Sequence, residues 1–104
     1  MLCAHTVRRL KPGTFDQFAA TFVPPEGEAA PSGWVRFHTL RSLADENEVI
    51  TFGFFDGTLE ELERSQADAG FEELRDSIGQ YVDSVVANGV YEIVVSRSAA
   101  GVQA

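Results

Sequence analysis

Two histidines, His5 and His38, are the only side chains in this chain whose unperturbed charge changes near neutral pH. An imidazole can accept the proton of a phenolic hydroxyl, so either histidine could act as a general base toward an aromatic substrate. The alternative is that each one makes an ordinary hydrogen bond at an interface or at a strand end. The residue types alone leave both readings open.

Other kinds of chemistry have little support. A metal site needs three or four convergent ligands, and two histidines with the single cysteine, Cys3, have no recognisable metal-binding spacing. Cys3 shares a strand face with His5, but side chains two residues apart on a strand are about 6 to 7 Å apart, so Cys3 is interpreted as a small buried residue. There is no nucleophile elbow, phosphate loop or dinucleotide fingerprint. We therefore expect no cofactor.

Aromatic residues could line a pocket for a planar ligand. Phe15, Phe18 and Phe22 recur at helical spacing and are expected to face a sheet. Thr51 is the one polar residue of an apolar segment, and Gly53 would leave space for a flat molecule. By strand parity Trp34 shares a face with Arg36 and His38, although Trp34 could instead open an edge strand at a dimer rim. The predicted substrate-binding residues are Trp34, His38, Thr51, Phe55, Phe18 and Phe22.

The segment VITFGFF, residues 49–55, is apolar on both faces of the strand that it is expected to form. Val49, Gly53 and Phe55 point to one side, and Ile50, Phe52 and Phe54 point to the other. Since the few helices of a 104-residue chain would cover only one face of a sheet, we expect the other face to pack against a second copy. Burying about 800 Å² per partner would make such a homodimer stable.

Periodicity and turn residues predict four strands and two helices. The first helix follows a capping-box pattern at Thr14 and Gln17 and stops at Pro24, and the second begins at Thr58 and Glu61. The second helix is expected to break near Ala69 and Gly70, to resume through Tyr81 and Val85, and to be capped by Asn88 and Gly89. The predicted strands are Leu2 to Leu10, Trp34 to Leu43, Glu48 to Asp56 and Val90 to Ser96.

This element order, βαββαβ, predicts the α+β class with a ferredoxin-like fold, in which helices cover one face of a four-stranded antiparallel sheet. Two such sheets packed face to face would form a dimeric α+β barrel. Residues 1–104 are predicted to be a single domain, with residues 98–104 as a frayed tail.

The charge and the cysteine content restrict the partners and the compartment. Sixteen acidic against eight basic residues give a formal charge of −8, which opposes binding to nucleic acid or to an anionic membrane. A single cysteine allows no internal disulfide, and no apolar run approaches the roughly 20 residues of a membrane span. We expect a cytoplasmic protein.

Short motifs, in order and spacing, resemble the antibiotic biosynthesis monooxygenase-like domains of the dimeric α/β-barrel superfamily. The motifs are KPG at Lys11 to Gly13, GWV at Gly33 to Val35, RSL at Arg41 to Leu43 and ELERSQADAGFEEL at Glu61 to Leu74. The resemblance spans roughly residues 2 to 97. It implies the fold above and, in some members, oxidation of aromatic polyketides by molecular oxygen without a cofactor.

Carried onto this chain, the resemblance implies that His5 acts as the base and that Thr51 and Tyr81 orient the substrate. Quinone-forming members have asparagine and tryptophan at the positions of Thr51 and Phe55, and members often have histidines where this chain has Ser65 and Gly70. These departures favour an alternative, a non-catalytic ligand-binding or structural homodimer. A third possibility is a cyclase-type lyase that uses His5 and Tyr81 as an acid-base pair.

Overall fold

The computed structural model describes residues 1–22 and 33–99. The strands are β1 (Leu2–Leu10), β2 (Trp34–Arg41), β3 (Glu48–Phe55) and β4 (Val82–Glu92), and the helices are α1 (Phe15–Thr21), α2 (Leu59–Gln66) and α3 (Ala69–Gly79). The strands form one antiparallel sheet in the order β2-β3-β1-β4. This confirms the predicted α+β, ferredoxin-like fold. None of the described helices is long and apolar enough to cross a membrane.

Strand β3 lies inside the sheet and presents two different faces. Val49, Thr51, Gly53 and Phe55 are buried on the helix-covered face, and the alternate residues are half-buried on the other. We call that other side, which no described helix covers, the open face. By the strand register it carries Cys3, His5, Val7, Arg36, His38, Leu40, Ile50, Phe52, Phe54 and Tyr91.

The hydrophobic core lies under helices α1 and α3. Leu10, Phe18, Val49 and Ile78 are each at most 2% exposed and form one cluster, against which Tyr81 packs from its side. Each fully buried side chain of this kind contributes about 1.5 to 3 kcal/mol relative to the exposed state. The cluster joins β1 and β3 to α1 and α3, so the sheet and the helices are stabilised together.

Strand β2 contains a register shift that the parity argument did not anticipate. Trp34 pairs with Phe55 and Arg36 pairs with Phe54, so Val35 is the extra residue of a bulge. Beyond it, Phe37 returns to the face of Trp34, and the two rings lie 5.0 Å apart. The prediction that His38 shares the face of Trp34 is therefore wrong, because one inserted residue reverses the alternation.

The last strand begins earlier than predicted. Helix α3 ends at Gly79, and β4 begins at Val82, so Asn88 is a strand residue and not a helix cap. Two register shifts against β1 place Val82, Val85 and Asn88 on one face at a spacing of three residues. The bulges thus imitate helical periodicity, which is why the sequence favoured a longer helix.

Helix starts agree only in part with the capping-box patterns. At α2 the Thr58 hydroxyl accepts a hydrogen bond from Glu61 N at 3.2 Å, and Glu61 Oε1 accepts one from Thr58 N at 3.0 Å, which confirms the box. At α1 the Thr14 hydroxyl instead donates to Lys11 O at 2.7 Å, and the predicted box is absent. Asp68 caps α3 by accepting from Gly70 N, so the break between the last two helices precedes Ala69.

The hairpin between β2 and β3 is confirmed, and both strands are slightly shorter than predicted. Ser42 Oγ accepts from Ala44 N and Asp45 N, which turns the chain immediately after Arg41. Residues 93–99 have no regular structure, so the predicted strand beyond Glu92 is wrong. The predicted stop at Pro24 and the last part of the tail, residues 100–104, lie outside the described residues.

Candidate functional site

A cavity of about 560 Å³ lies between the helix-covered face of the sheet and the helices. All four strands contribute to its lining, together with Phe22 after α1, the end of α2 and the first half of α3. Its volume falls within the range of about 300 to 1,000 Å³ that is typical of small-molecule sites. The sequence alone could not show whether a pocket exists between the sheet and the helices, and the structure has one.

Aromatic rings form one wall of this cavity. Trp34 lies 5.7 Å from Phe71, and Phe37 lies 6.4 Å from Phe71, measured between ring centroids. The Trp34 Nε1 donates a hydrogen bond to Ser65 Oγ at 2.7 Å, which satisfies the indole N–H and fixes the ring plane. Trp34 therefore lines the cavity, as the first of the two alternatives for this residue predicted.

Gly53 brings the floor of the cavity close to this aromatic wall. A Cβ atom at Gly53 would lie 2.7 Å from Trp34 Cζ3 and 2.9 Å from Phe37 Cδ1, closer than carbon atoms pack. The glycine therefore allows the two rings to lie directly against β3. The space that Gly53 was expected to leave for a flat molecule is thus occupied by the protein's own rings.

A polar group lies on the floor of the cavity. The Arg8 Nη1 donates a hydrogen bond to the Thr51 hydroxyl at 2.6 Å, across strands β1 and β3. The Arg8 guanidinium also lies 5.9 Å and 5.5 Å from the ring centroids of Phe18 and Phe22. Burial lowers the pKa of Arg8, because the charged form loses part of its hydration.

Sequence reasoning missed Arg8, although strand parity held a signal. Residues 2, 4, 6, 8 and 10 of β1 alternate onto the helix-covered face, and Arg8 is the only charged residue among them. A charged side chain at such a position must reach a partner, a cavity or water. Parity could therefore have drawn attention to Arg8 before His5.

The ionisable side chains of the described cavity lining are two arginines, Arg8 and Arg75. Arg75 is exposed on α3 and donates from Nη2 to Gln66 O at 3.1 Å. Neither a carboxylate nor an imidazole belongs to that lining, and residues 1–22 and 33–99 contain no cluster of three or more metal-ligating side chains. The site offers positive charge and hydrogen bonds rather than a carboxylate or histidine base.

The two histidines lie on the open face, away from this cavity. His5 pairs in register with Phe52 and lies edge-to-face with Tyr91 at 6.0 Å, and His38 stacks on Phe52 at 4.8 Å. The Nδ1 of His5 is buried without a hydrogen-bond partner among the described residues. Tyr81, by contrast, packs with the core cluster on the helix-covered side. The expected pair of His5 and Tyr81 is not brought together, since the sheet separates the two side chains.

The predicted substrate-binding residues divide into three groups. Trp34, Thr51 and Phe22 line the cavity. Phe18 and Phe55 are 0% and 2% exposed and support the site as core residues without lining it, and His38 lies on the other face. A single bulge in β2 and complete packing of two rings account for these differences.

Solved structures with the same fold come from several bacteria. A protein assigned as an antibiotic biosynthesis monooxygenase from Chloroflexus aurantiacus is 14% identical, with a TM-score of 0.75, over 93% of this chain and 96% of its own. A protein of the same description from Nitrosomonas europaea is 16% identical, with a TM-score of 0.76, over 91% of this chain and 100% of its own. SnoaB, a cofactor-independent oxygenase from Streptomyces nogalater, is 17% identical, with a TM-score of 0.62, over 96% of both chains.

At the level of sequence, no protein-family model matches the chain and no curated protein matches it. The likeness thus rests on three-dimensional structure across more than nine tenths of the chain. The order of the elements along the chain agrees with the fold that the sequence predicted. The chain has the ferredoxin-like fold of the antibiotic biosynthesis monooxygenase-like proteins.

Proposed function

We propose that this protein binds a small planar aromatic or polyketide-type molecule in the cavity and oxidises it with molecular oxygen, without a bound cofactor. The observation that carries the proposal is the open cavity of about 560 Å³ with Trp34, Phe37 and Phe71 along one wall. Stacked or tilted rings of this kind bind the faces of planar ligands. The similarity of fold to SnoaB, a cofactor-independent oxygenase, supports the same reading.

The chemistry balances for a phenolic substrate. The hydroxyl loses its proton to solvent, and the electron-rich ring transfers four electrons to one O2 molecule. One oxygen atom becomes a carbonyl at the ring carbon opposite the hydroxyl, in place of hydrogen, and the other leaves as water. The protein orients the ring against the aromatic wall of the cavity. His5 has no part in this scheme because it lies on the open face.

Oxygen uptake tests the proposal. We expect a panel of naphthols and polycyclic phenols to include a substrate that consumes O2 with the protein, and labelled O2 to leave one atom in the product. Ala4→Leu should abolish uptake, because Ala4 lines the cavity and the larger side chain would fill it. Ala19→Leu, on the exposed side of α1, is the matched control and should retain activity. Uptake that persists in Ala4→Leu would place the reaction elsewhere.

A second candidate is a non-catalytic protein that binds a small ligand. The absence of a carboxylate or an imidazole from the described cavity lining favours it, since such a site has no residue of the kinds that most often act as general bases. Trp34 is the only tryptophan, so its fluorescence reports occupancy of the cavity directly. Binding without oxygen consumption across the panel would favour this candidate. A cyclase-type lyase has less support, because it requires His5 and Tyr81 in one site.

We also propose that a second copy of the chain covers the open face and that the protein acts as a homodimer. Phe52 and Phe54 lie at the centre of this face, and Leu40 and Tyr91 are 45% and 56% exposed in the single chain. A sheet face that leaves this many apolar side chains uncovered is typical of an interaction surface. The cavity lies on the opposite side of the sheet and would remain accessible in such a dimer.

A further inference from the structure

An arginine lies at the floor of a largely apolar cavity. Arg8 is half-buried between strands β3 and β4, with the rings of Phe18 and Phe22 beside its guanidinium. A cation taken out of water is costly unless it is paired or fully hydrogen-bonded. The position of Arg8 therefore requires an explanation that packing alone does not give.

Most hydrogen-bonding capacity of Arg8 is unused within the described chain. A guanidinium has five N–H donors, and Arg8 makes one side-chain hydrogen bond, to Thr51. No carboxylate of residues 1–22 or 33–99 lies within salt-bridge distance of it. Thr51, only 5% exposed, accepts from Arg8, so its hydroxyl hydrogen remains available for donation. Together the two side chains offer several donors to the cavity, including the charged N–H groups of Arg8.

Arg75 also lines the cavity, but it is exposed on α3 and donates to Gln66 O. Three further arginines have ordinary surroundings. Arg9 pairs with Asp45 on an exposed part of β1, and Arg64 pairs with Glu60 on α2. Arg41 lies over the ring of Phe15 at 4.6 Å. Since the formal charge of the chain is −8, Arg8 is a local cation in an acidic protein and not part of a basic surface.

We infer that the cavity binds its ligand as an anion, with a negatively charged oxygen of an aromatic acid held by Arg8 and Thr51 and with the ring against Trp34. The inference rests on the proposed ligand site but does not require oxidation. The oxygen can belong to a carboxylate or to an acidic phenol that binds as phenolate. A charge-assisted hydrogen bond from arginine recognises both.

Binding of matched probes tests this inference. We expect 2-naphthoate to quench or shift the Trp34 emission at about 10- to 100-fold lower concentration than the neutral 2-naphthamide, as for hydrogen bonds to charged groups. Arg8→Met should remove most of the preference for naphthoate, while binding of the amide remains measurable. Thr51→Val should reduce the preference for naphthoate in part. Arg64→Met changes the net charge equally at an exposed site and should have no effect.

Retained binding of the amide shows that Arg8→Met is folded, so loss of the preference can be assigned to the guanidinium. A nitronaphthol then separates the two kinds of acid by its colour. If the cavity accepts phenolates, the bound dye should ionise at a lower pH than the free dye, and Arg8→Met should abolish that difference.

A preference for naphthoate with unshifted dye would identify a carboxylic acid ligand. A shifted dye would identify a phenolate. Equal affinity for naphthoate and naphthamide, together with unshifted dye, would overturn the inference. None of these measurements involves O2, so they test anion binding even if the proposed oxidation fails.

Discussion

The indole Nε1 of Trp34 donates a hydrogen bond to Ser65 Oγ at 2.7 Å, which joins strand β2 to helix α2 above the cavity. The same indole lies 5.1 Å from the ring of Phe55 and 5.0 Å from that of Phe37. Aromatic contacts set the position of the ring, and the hydrogen bond sets its orientation. Ser65 occupies a position at which the family that the chain resembles often has a histidine.

Substitution of Ser65 by alanine should weaken this connection. The half-buried indole N–H would lose its acceptor, and we expect the free energy of unfolding to fall by about 1 kcal/mol. Urea unfolding followed by Trp34 fluorescence measures the change. Ser77→Ala, on the exposed side of α3, is the control and should be nearly neutral. Equal stability of the two variants would show that the hydrogen bond contributes nothing.

Two glycine substitutions should change the stability of the folded protein in opposite directions. Gly53→Ala places a Cβ 2.7 Å from Trp34 Cζ3, so the rings must move, and we expect a loss of about 1 to 3 kcal/mol. Gly79→Ala, at the end of α3, meets no atom within 4 Å and should stabilise the protein by about 0.4 to 1 kcal/mol. Thermal unfolding of both variants checks the signs. A neutral Gly53→Ala would mean that the aromatic wall shifts freely.

Phe52→Asp tests the proposed homodimer. The substitution places a charge at the centre of an apolar face, and burying an unpaired carboxylate is strongly unfavourable. We expect the wild type to sediment as a dimer and the variant as monomers or aggregates. Thr39→Asp, at an exposed position on the other face of β2, should remain dimeric. A wild type that sediments as a single subunit at all concentrations would contradict the proposal.

Glu61 should give the start of α2 a pH dependence. Hydrogen bonds from Thr58 N and then from the Thr58 hydroxyl lower the pKa of the Glu61 carboxyl, with a further contribution from Arg64. A carboxyl whose pKa is lower in the folded state contributes stability above its unfolded pKa of about 4.3 and loses it as the pH falls through the folded pKa.

Glu61→Gln should therefore be less stable than the wild type at neutral pH, and the two should converge in acid. Chemical unfolding at a series of pH values measures the difference. Glu63→Gln, two residues further along the same helix and exposed, is the control and should differ little from the wild type at any of these pH values. If the difference between wild type and Glu61→Gln stays constant from neutral to acidic pH, the carboxyl does not act through its charge.

The parts of the fold that follow from local chemistry could be predicted from the sequence. Strand β1 and the hairpin followed from alternation and turn residues, and the start of α2 followed from the Thr58 and Glu61 pattern. The two-sided apolar character of β3 predicted a sheet with helices on one face. Together these features were sufficient for the ferredoxin-like plan, because each depends on residues close in sequence.

The contents of the site depended on tertiary structure. Bulges at Val35 in β2 and at two points in β4 changed which residues share a face, and bulges arise from pairing with a neighbouring strand. As a result His38 lies on the open face and not in the predicted site, and Asn88 lines the cavity from β4. Strand parity could have placed Arg8 on the helix-covered face. Whether the neighbouring side chains leave a cavity beside Arg8 depends on packing, which parity does not describe.

By itself the sequence determined the order of the elements, the apolar faces of β3 and the acidic character of the chain. Only the tertiary structure decided that His5 and Tyr81 lie on opposite sides of the sheet and that Arg8 and Thr51 meet at the floor of an open cavity. The physical reason is that periodicity assigns a residue to a face of its own strand, whereas a site is formed by register between strands and by incomplete packing above them.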